Sequence, residues 1–173
     1  MRSGAISANT CRNDLLSTDL FTSRSHGQLV VYAGTQNVAS TGIILDDKSS
    51  DSVAFYSHSW SSMSSGSTYI HNSDDYTGLN VALFIGCKTA RGGQNARNLP
   101  STIVAHGASA SIGFSESIGC NSANTWTTNF YNKMLQGATL QEAVDYACSL
   151  ASESSGLKSA VICGDSSIRL PIN

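Results

Sequence analysis

A thiol and an imidazole each stand just past a strand-like run. The apolar run 79–85 ends in Gly86-Cys87-Lys88-Thr89-Ala90, and a shorter run, Leu20–Arg24, ends in Ser25-His26-Gly27. A cysteine is a weak nucleophile as the thiol, and a neighbouring imidazole that takes its proton leaves a thiolate able to attack a carbonyl. Cys87 is the candidate nucleophile and His26 its candidate base. Such an attack creates an oxyanion, which needs fixed donors, and the backbone N–H groups of Gly27 and Cys87 lie at the turns where they would serve. Glycine at 27 and 86 lets another backbone come close, because no Cβ intervenes.

The surrounding elements must bring the two groups together. Residues 10–18 read as a short helix feeding the Leu20–Arg24 strand, residues 29–33 and 41–45 as a hairpin, and residues 52–56 as a further strand. Residues 57–68 are so rich in serine that they read as an exposed loop. After the Cys87 strand come the turn Arg91-Gly92-Gly93 and a helix over Leu99–Ala105, with Pro100 in its first turn and Gly107 past its end. Residues 108–114 return as a strand. Trp126, Phe130, Met134 and Leu135 recur at helical spacing until Gly137, and Thr139 with Glu142 opens a second helix as a capping box. Residues 161–163 and 168–170 read as closing strands. Apolar strands alternating with amphipathic helices predict an α/β layer architecture with a mostly parallel sheet, whose chemistry gathers at the carboxyl ends of the strands. Both His26 and Cys87 fall at that edge.

Composition narrows the classes. The 173 residues are 40% hydrophobic, enough for one domain with a real core, and 13% charged with a net charge of −2. No basic face points to nucleic acid and no polybasic run to anionic lipid, so a peptide or protein partner is expected. No apolar stretch approaches the roughly 20 residues of a membrane span, and the first ten residues lack the apolar core of a signal peptide. The abundance of Ser, Thr, Asn and Gly leans toward an extracellular surface, with localisation otherwise open. Five cysteines, Cys11, Cys87, Cys120, Cys148 and Cys163, are odd in number and without C-x-x-C spacing, which argues against a disulfide framework. The histidines His26, His58, His71 and His106 do not fall at ligand spacing with them, so no metal is expected.

The order of these pieces, a strand ending in His-Gly, a strand ending in Gly-Cys-Lys-Thr-Ala, then residues 98–114 as helix, Gly-Ala and strand, resembles the caspase-like cysteine peptidases, the group of caspases, gingipains, clostripain and CHAT domains. The stretch from Trp126 to Gly137, followed by residues 139–147, resembles the helical pair that follows in the CHAT and gingipain branches. The resemblance spans residues 20–147. It implies a caspase-like three-layer sandwich, a Cys-His dyad in which Cys87 matches the nucleophile and His26 the histidine, a thioester acyl-enzyme, cleavage of peptide bonds after a specific P1 side chain, and no cofactor. The chain departs from the group in one respect: 25 residues before His26 are too few for the usual first strand, helix and crossover. That implies either the C-terminal part of a longer or processed chain, or a reduced fold. In both cases a sheet edge is left for an N-terminal fragment or a second chain.

Other roles are weighed residue by residue. His106, at a helix end, is assigned to the last carbonyls of that helix, and His58 and His71 to solvent. Cys11, Cys120, Cys148 and Cys163 are assigned to structure. Asp46, Asp47, Asp74 and Asp75 are read as exposed turn residues, with a basic P1 pocket or a calcium site as the other readings. An acidic P1 would instead want Arg24 or Arg91. A phosphate loop is excluded because Gly86-Cys87-Lys88-Thr89 lacks both the upstream glycine and the Gly-Lys step. A serine nucleophile elbow is excluded because the run from Gly113 to Ser117 lacks its final glycine. The remaining alternative is a catalytically silent caspase-like module that binds or scaffolds a partner.

Overall fold

A computed structural model of the chain describes residues 7–33, 35, 37–46 and 53–170. The elements run α1 (Ala8–Leu16), β1 (Leu20–Arg24), β2 (Gly27–Val31), β3 (Val38–Asp46), β4 (Val53–Tyr56), β5 (Thr68–Tyr69), β6 (Val81–Ile85), α2 (Leu99–Ala105), β7 (Ala110–Phe114), α3 (Cys120–Met134), α4 (Leu140–Ser149) and β8 (Ala160–Gly164), with short 3-10 turns at Glu153–Ser155 and Leu157–Ser159. They form a mixed α/β structure with two four-stranded sheets, ordered β1-β6-β7-β8 and β2-β3-β4-β5. In the first sheet β1, β6 and β7 run parallel and β8 runs against them. The predicted hairpin does form, as antiparallel β2 and β3, but it opens the second sheet rather than extending the first.

Local chemistry explains most boundaries. Ser7 caps α1 by accepting the Thr10 N–H, Asn98 caps α2 by accepting that of Ser101, and Pro100 occupies the first turn of α2, where a missing donor costs nothing. Gly107, with φ of 109°, ends α2 in the left-handed region that favours glycine. The capping box at α4 is complete, with Thr139 Oγ1 accepting the Glu142 N–H and Glu142 accepting the Thr139 N–H at 2.8 Å. Two predictions fail on tertiary grounds. Residues 168–170 are not a strand: the Ile168 carbonyl accepts from Leu140 N–H at the start of α4, and Ile168 and Leu170 lean on the core as irregular chain. Residues 57–68 are not uniformly an exposed loop, because Ser57 is fully buried and Thr68 begins β5.

Helices cover both faces of the first sheet. On β6, Val81, Leu83 and Ile85 face a cluster with Trp126, Phe130, Met134, Leu140 and Val144 of α3 and α4. Ala82 and Phe84 face the other cluster, with Cys11 and Leu15 of α1, Leu99 and Ile103 of α2, and Ile43 and Phe55 of the second sheet. Period-two alternation on a strand buried on both faces produces this division. Trp126 stacks on Phe130 at 5.4 Å and meets Phe114 edge-on at 5.1 Å, and each such buried aromatic contributes about 1.5–3 kcal/mol. Among the described residues β1 is outermost, with no strand beyond it.

Candidate active site

The β1–β6 register decides the site. Arg24 pairs with Ile85, so the two strands end level, and the Ser25 N–H continues the ladder to the Ile85 carbonyl at 3.1 Å. Ser25-His26-Gly27 therefore leaves the sheet beside Gly86-Cys87. The approach is close enough that a Cβ on Gly27 would fall 1.8 Å from the Cys87 carbonyl oxygen, and one on Gly86 would fall 2.9 Å from the Ser25 carbonyl oxygen. His26 is exposed, Cys87 is half-buried, and both line one cavity of about 310 Å³ together with Arg24, Ser25, Ile85, Ile118, Cys120 and Ala123.

The loop carrying Cys87 is held from three sides. Thr89, fully buried, presents its hydroxyl to the Phe84 and Gly86 carbonyls at 3.1 Å and accepts the Phe114 N–H at the same distance. The Thr89 carbonyl accepts from Thr41 of the second sheet at 2.6 Å, and the Ala90 N–H reaches the Phe114 carbonyl at 3.0 Å. Lys88 is the one described non-glycine residue with positive φ, 59°, and its N–H is tied to the Glu116 carbonyl at 2.9 Å. A left-handed lysine persists only where its surroundings impose it, and here it turns the chain directly after the thiol.

The candidate oxyanion donors differ in how they are aimed. The Ile44 N–H donates to the His26 carbonyl at 2.8 Å, so the ladder bonds flank the Gly27–Ile43 pair and the Gly27 N–H points away from β3, toward the Cys87 turn. The Cys87 N–H has no protein acceptor among the described hydrogen bonds. The Cys87 sulfur contacts the Ile118 backbone, accepting its N–H at 3.3 Å and facing its carbonyl at 3.7 Å.

Several predicted roles are corrected. Asp74 is no exposed turn residue: its side chain is 1% exposed, Arg12 clasps it through both Nε and a terminal nitrogen, and it accepts from the His71 N–H and the Tyr76 hydroxyl. Asp75 does serve its own turn, accepting from Thr77. Asp46 ends β3 and its side chain, like all of Asp47, lies outside the described residues. The His106 ring bonds the Asp74 carbonyl at 3.1 Å instead of its own helix, and His71 stacks on Tyr69 at 4.6 Å. Cys120 is not buried structure; it is exposed, opens α3 and lines the Cys87 cavity. Its position after the third parallel strand was a usable signal, obscured because helical periodicity becomes evident only from Ala123. Cys11, Cys148 and Cys163 are structural, and burial pushes all three thiols up, Cys11 to about 12.

His58 is only partly solvated. Its Nδ1 is buried without a hydrogen-bond partner, and burial, with Arg97 and His106 nearby, lowers the imidazole to about 4 from 6.5. The unfolded chain therefore binds a proton at His58 between pH 6.5 and about 4 while the folded chain does not, so stability falls as pH falls through that window. Thermal melts across it should show a declining midpoint, and His58→Gln should flatten the decline.

Among the described residues no three His, Cys, Asp or Glu side chains are grouped to hold a metal, and no helix is long and apolar enough to cross a membrane. No protein-family model matches the chain, and no curated protein matches it.

Proposed function

We propose that this chain is a cysteine endopeptidase of the caspase-like group. The observation that carries the reading is the shared cavity, with a half-buried thiol and an exposed imidazole delivered by the carboxyl ends of adjacent parallel strands. In this reading His26 takes the Cys87 proton, the thiolate attacks the scissile carbonyl, and the N–H groups of Cys87 and Gly27 hold the oxyanion. His26 then protonates the leaving amine, and water hydrolyses the Cys87 thioester. The Ile118 N–H donates to the Cys87 sulfur at 3.3 Å and so fixes where the nucleophile sits in the cavity.

Charge at the cavity selects an acidic P1 residue. Arg12 holds Asp74, Arg91 pairs with Glu116, Arg97 bonds the Ala39 carbonyl and Arg169 that of Gly137. Arg24 alone among the described arginines makes no side-chain hydrogen bond or ion pair, and no carboxylate lines its cavity. An unpartnered guanidinium beside the dyad is a ready fork for a carboxylate. The outer edge of β1, which no strand pairs among the described residues and beside which Leu16 and Leu20 are exposed, is where an N-terminal fragment or a second chain would complete the sheet.

A second reading, a silent module that binds a protein partner, draws on the Cys87 sulfur bonding Ile118 and not His26. Digestion of a peptide library separates the two. The intact chain should cut after Asp or Glu, Cys87→Ala should not cut, and Arg24→Gln should lose the acidic preference while iodoacetamide still labels Cys87 at the parent rate. An intact chain that cuts nothing and whose Cys87 labels like an ordinary thiol is the silent module.

A further inference from the structure

Cys120 shares a cavity with Cys87, although 32 residues lie between them in sequence. Of the five thiols, Cys11 and Cys163 are buried and Cys148 is half-buried with its sulfur accepting the Trp126 indole N–H and donating to the Leu157 carbonyl. The two that open to solvent at one place are Cys87 and Cys120. We propose that they form a reversible oxidation site, with Cys87 the sulfur that reacts first with a peroxide and Cys120 the thiol that resolves it.

The chain between them brings Cys120 to the cavity that holds the sulfur. The Ile118 backbone is already on Cys87 Sγ, through its N–H at 3.3 Å, and Cys120 follows two residues later, a span of at most about 7 Å between Cα atoms. A disulfide requires Cα atoms within about 4.4–6.8 Å. The connecting residue is Gly119, exposed, where even a built Cβ would meet nothing closer than 3.7 Å; its N–H is held by the Ser155 carbonyl at 2.9 Å, a single backbone bond that the turn exchanges when Cys120 closes on Cys87. Beyond it α3 begins with no side-chain cap, so Cys120 gives up no capping bond when it moves.

The chemistry balances with a hydroperoxide as oxidant and a dithiol as reductant. The Cys87 thiolate attacks a peroxide oxygen, the O–O bond breaks, and the departing oxygen takes a proton and leaves as water when the oxidant is hydrogen peroxide. Cys87 is then the sulfenic acid, oxidised by two electrons. The Cys120 sulfur attacks that sulfur, an S–S bond forms, the S–O bond breaks, and the oxygen leaves as a second water with the Cys120 proton. A dithiol returns two electrons and two protons and restores both thiols. The bridge occupies the nucleophile and the cavity mouth together, and it stops Cys87 short of the irreversible sulfinic acid. This inference stands apart from whether Cys87 cleaves peptides.

The test is mass spectrometry of the full chain after one equivalent of hydrogen peroxide, followed by alkylation and non-reducing peptide mapping. The oxidised chain should be lighter by two hydrogens, carry one peptide pair linked through Cys87 and Cys120, and regain alkylation of both after dithiothreitol. Cys120→Ser, and Cys120→Ala as a second variant, should fail to form the lighter species and should instead carry one added oxygen on Cys87, and two after a second equivalent of peroxide. Circular dichroism matching the parent shows that the variants are folded. The proposal is overturned if Cys87 links to another cysteine or only between molecules, or if the folded Cys120 variants oxidise as the parent does.

Discussion

Gly27→Ala is expected to slow alkylation of Cys87, and any peptide cleavage, by about 10²-fold or more, because a catalytic group displaced by an ångström loses about that much. The new methyl would fall 1.8 Å from the Cys87 carbonyl oxygen and 2.7 Å from its nitrogen. Backbone atoms cannot rotate out of the way as a side chain tip can, so either β2 or the Cys87 turn must shift. That turn is held by Thr41, Thr89, Phe114 and Glu116, so the strain falls on the groups that aim the thiol and the Gly27 N–H. Overpacking of this kind also destabilises by about 1–3 kcal/mol. Gly78 is the control, since nothing lies within 4 Å of a Cβ built there, and Gly78→Ala should leave labelling and urea stability unchanged. A Gly27→Ala chain that labels Cys87 at the parent rate would show that the two turns do not bear on one another.

Asp74→Ala should lower stability by about 3 kcal/mol, at the lower end of the roughly 3–5 kcal/mol typical when one partner of a buried ion pair is removed. The lower end applies because Arg12 is 21% exposed and regains some water. The Tyr76 hydroxyl and the His71 N–H lose their acceptor as well. The bond also ties α1 to the segment entering β6, so its loss loosens the strand that ends at Cys87. Burial alone would raise the Asp74 carboxyl, but hydrogen bonds from Arg12, His71 and Tyr76 outweigh it and hold it below 3.8. A carboxylate depressed in the folded state contributes stability that is present above the ordinary value and lost as pH falls through the folded one. Acid unfolding should therefore show two windows, the His58 decline between pH 6.5 and about 4 and the Asp74 loss below it. Urea melts of Asp74→Ala should lack the second window and keep the first.

The amino-acid sequence by itself determined what depends on neighbours a few residues away. The Leu20–Arg24 strand, the Leu99–Ala105 helix with Pro100 and Gly107, and the Thr139–Glu142 capping box all follow from period, caps and breakers. His-Gly and Gly-Cys at two strand ends were legible for the same reason. Tertiary structure alone decided which strands are adjacent and which charges meet. Arg12 and Asp74 lie far apart in sequence and neither motif nor period couples them; the same holds for Arg91 with Glu116, a pairing that leaves Arg24 as the free guanidinium among the described arginines. His58 reads as polar loop but is half-buried with its Nδ1 out of reach of water, because burial is set by what folds over a residue and not by its flanking serines. Residues 168–170 have strand composition yet find their hydrogen-bond partner at the start of α4, and Cys120 reaches the Cys87 cavity because β7 lies beside β6. Local preferences act within a turn or two of chain, whereas pairing across the fold depends on the packing of every layer at once.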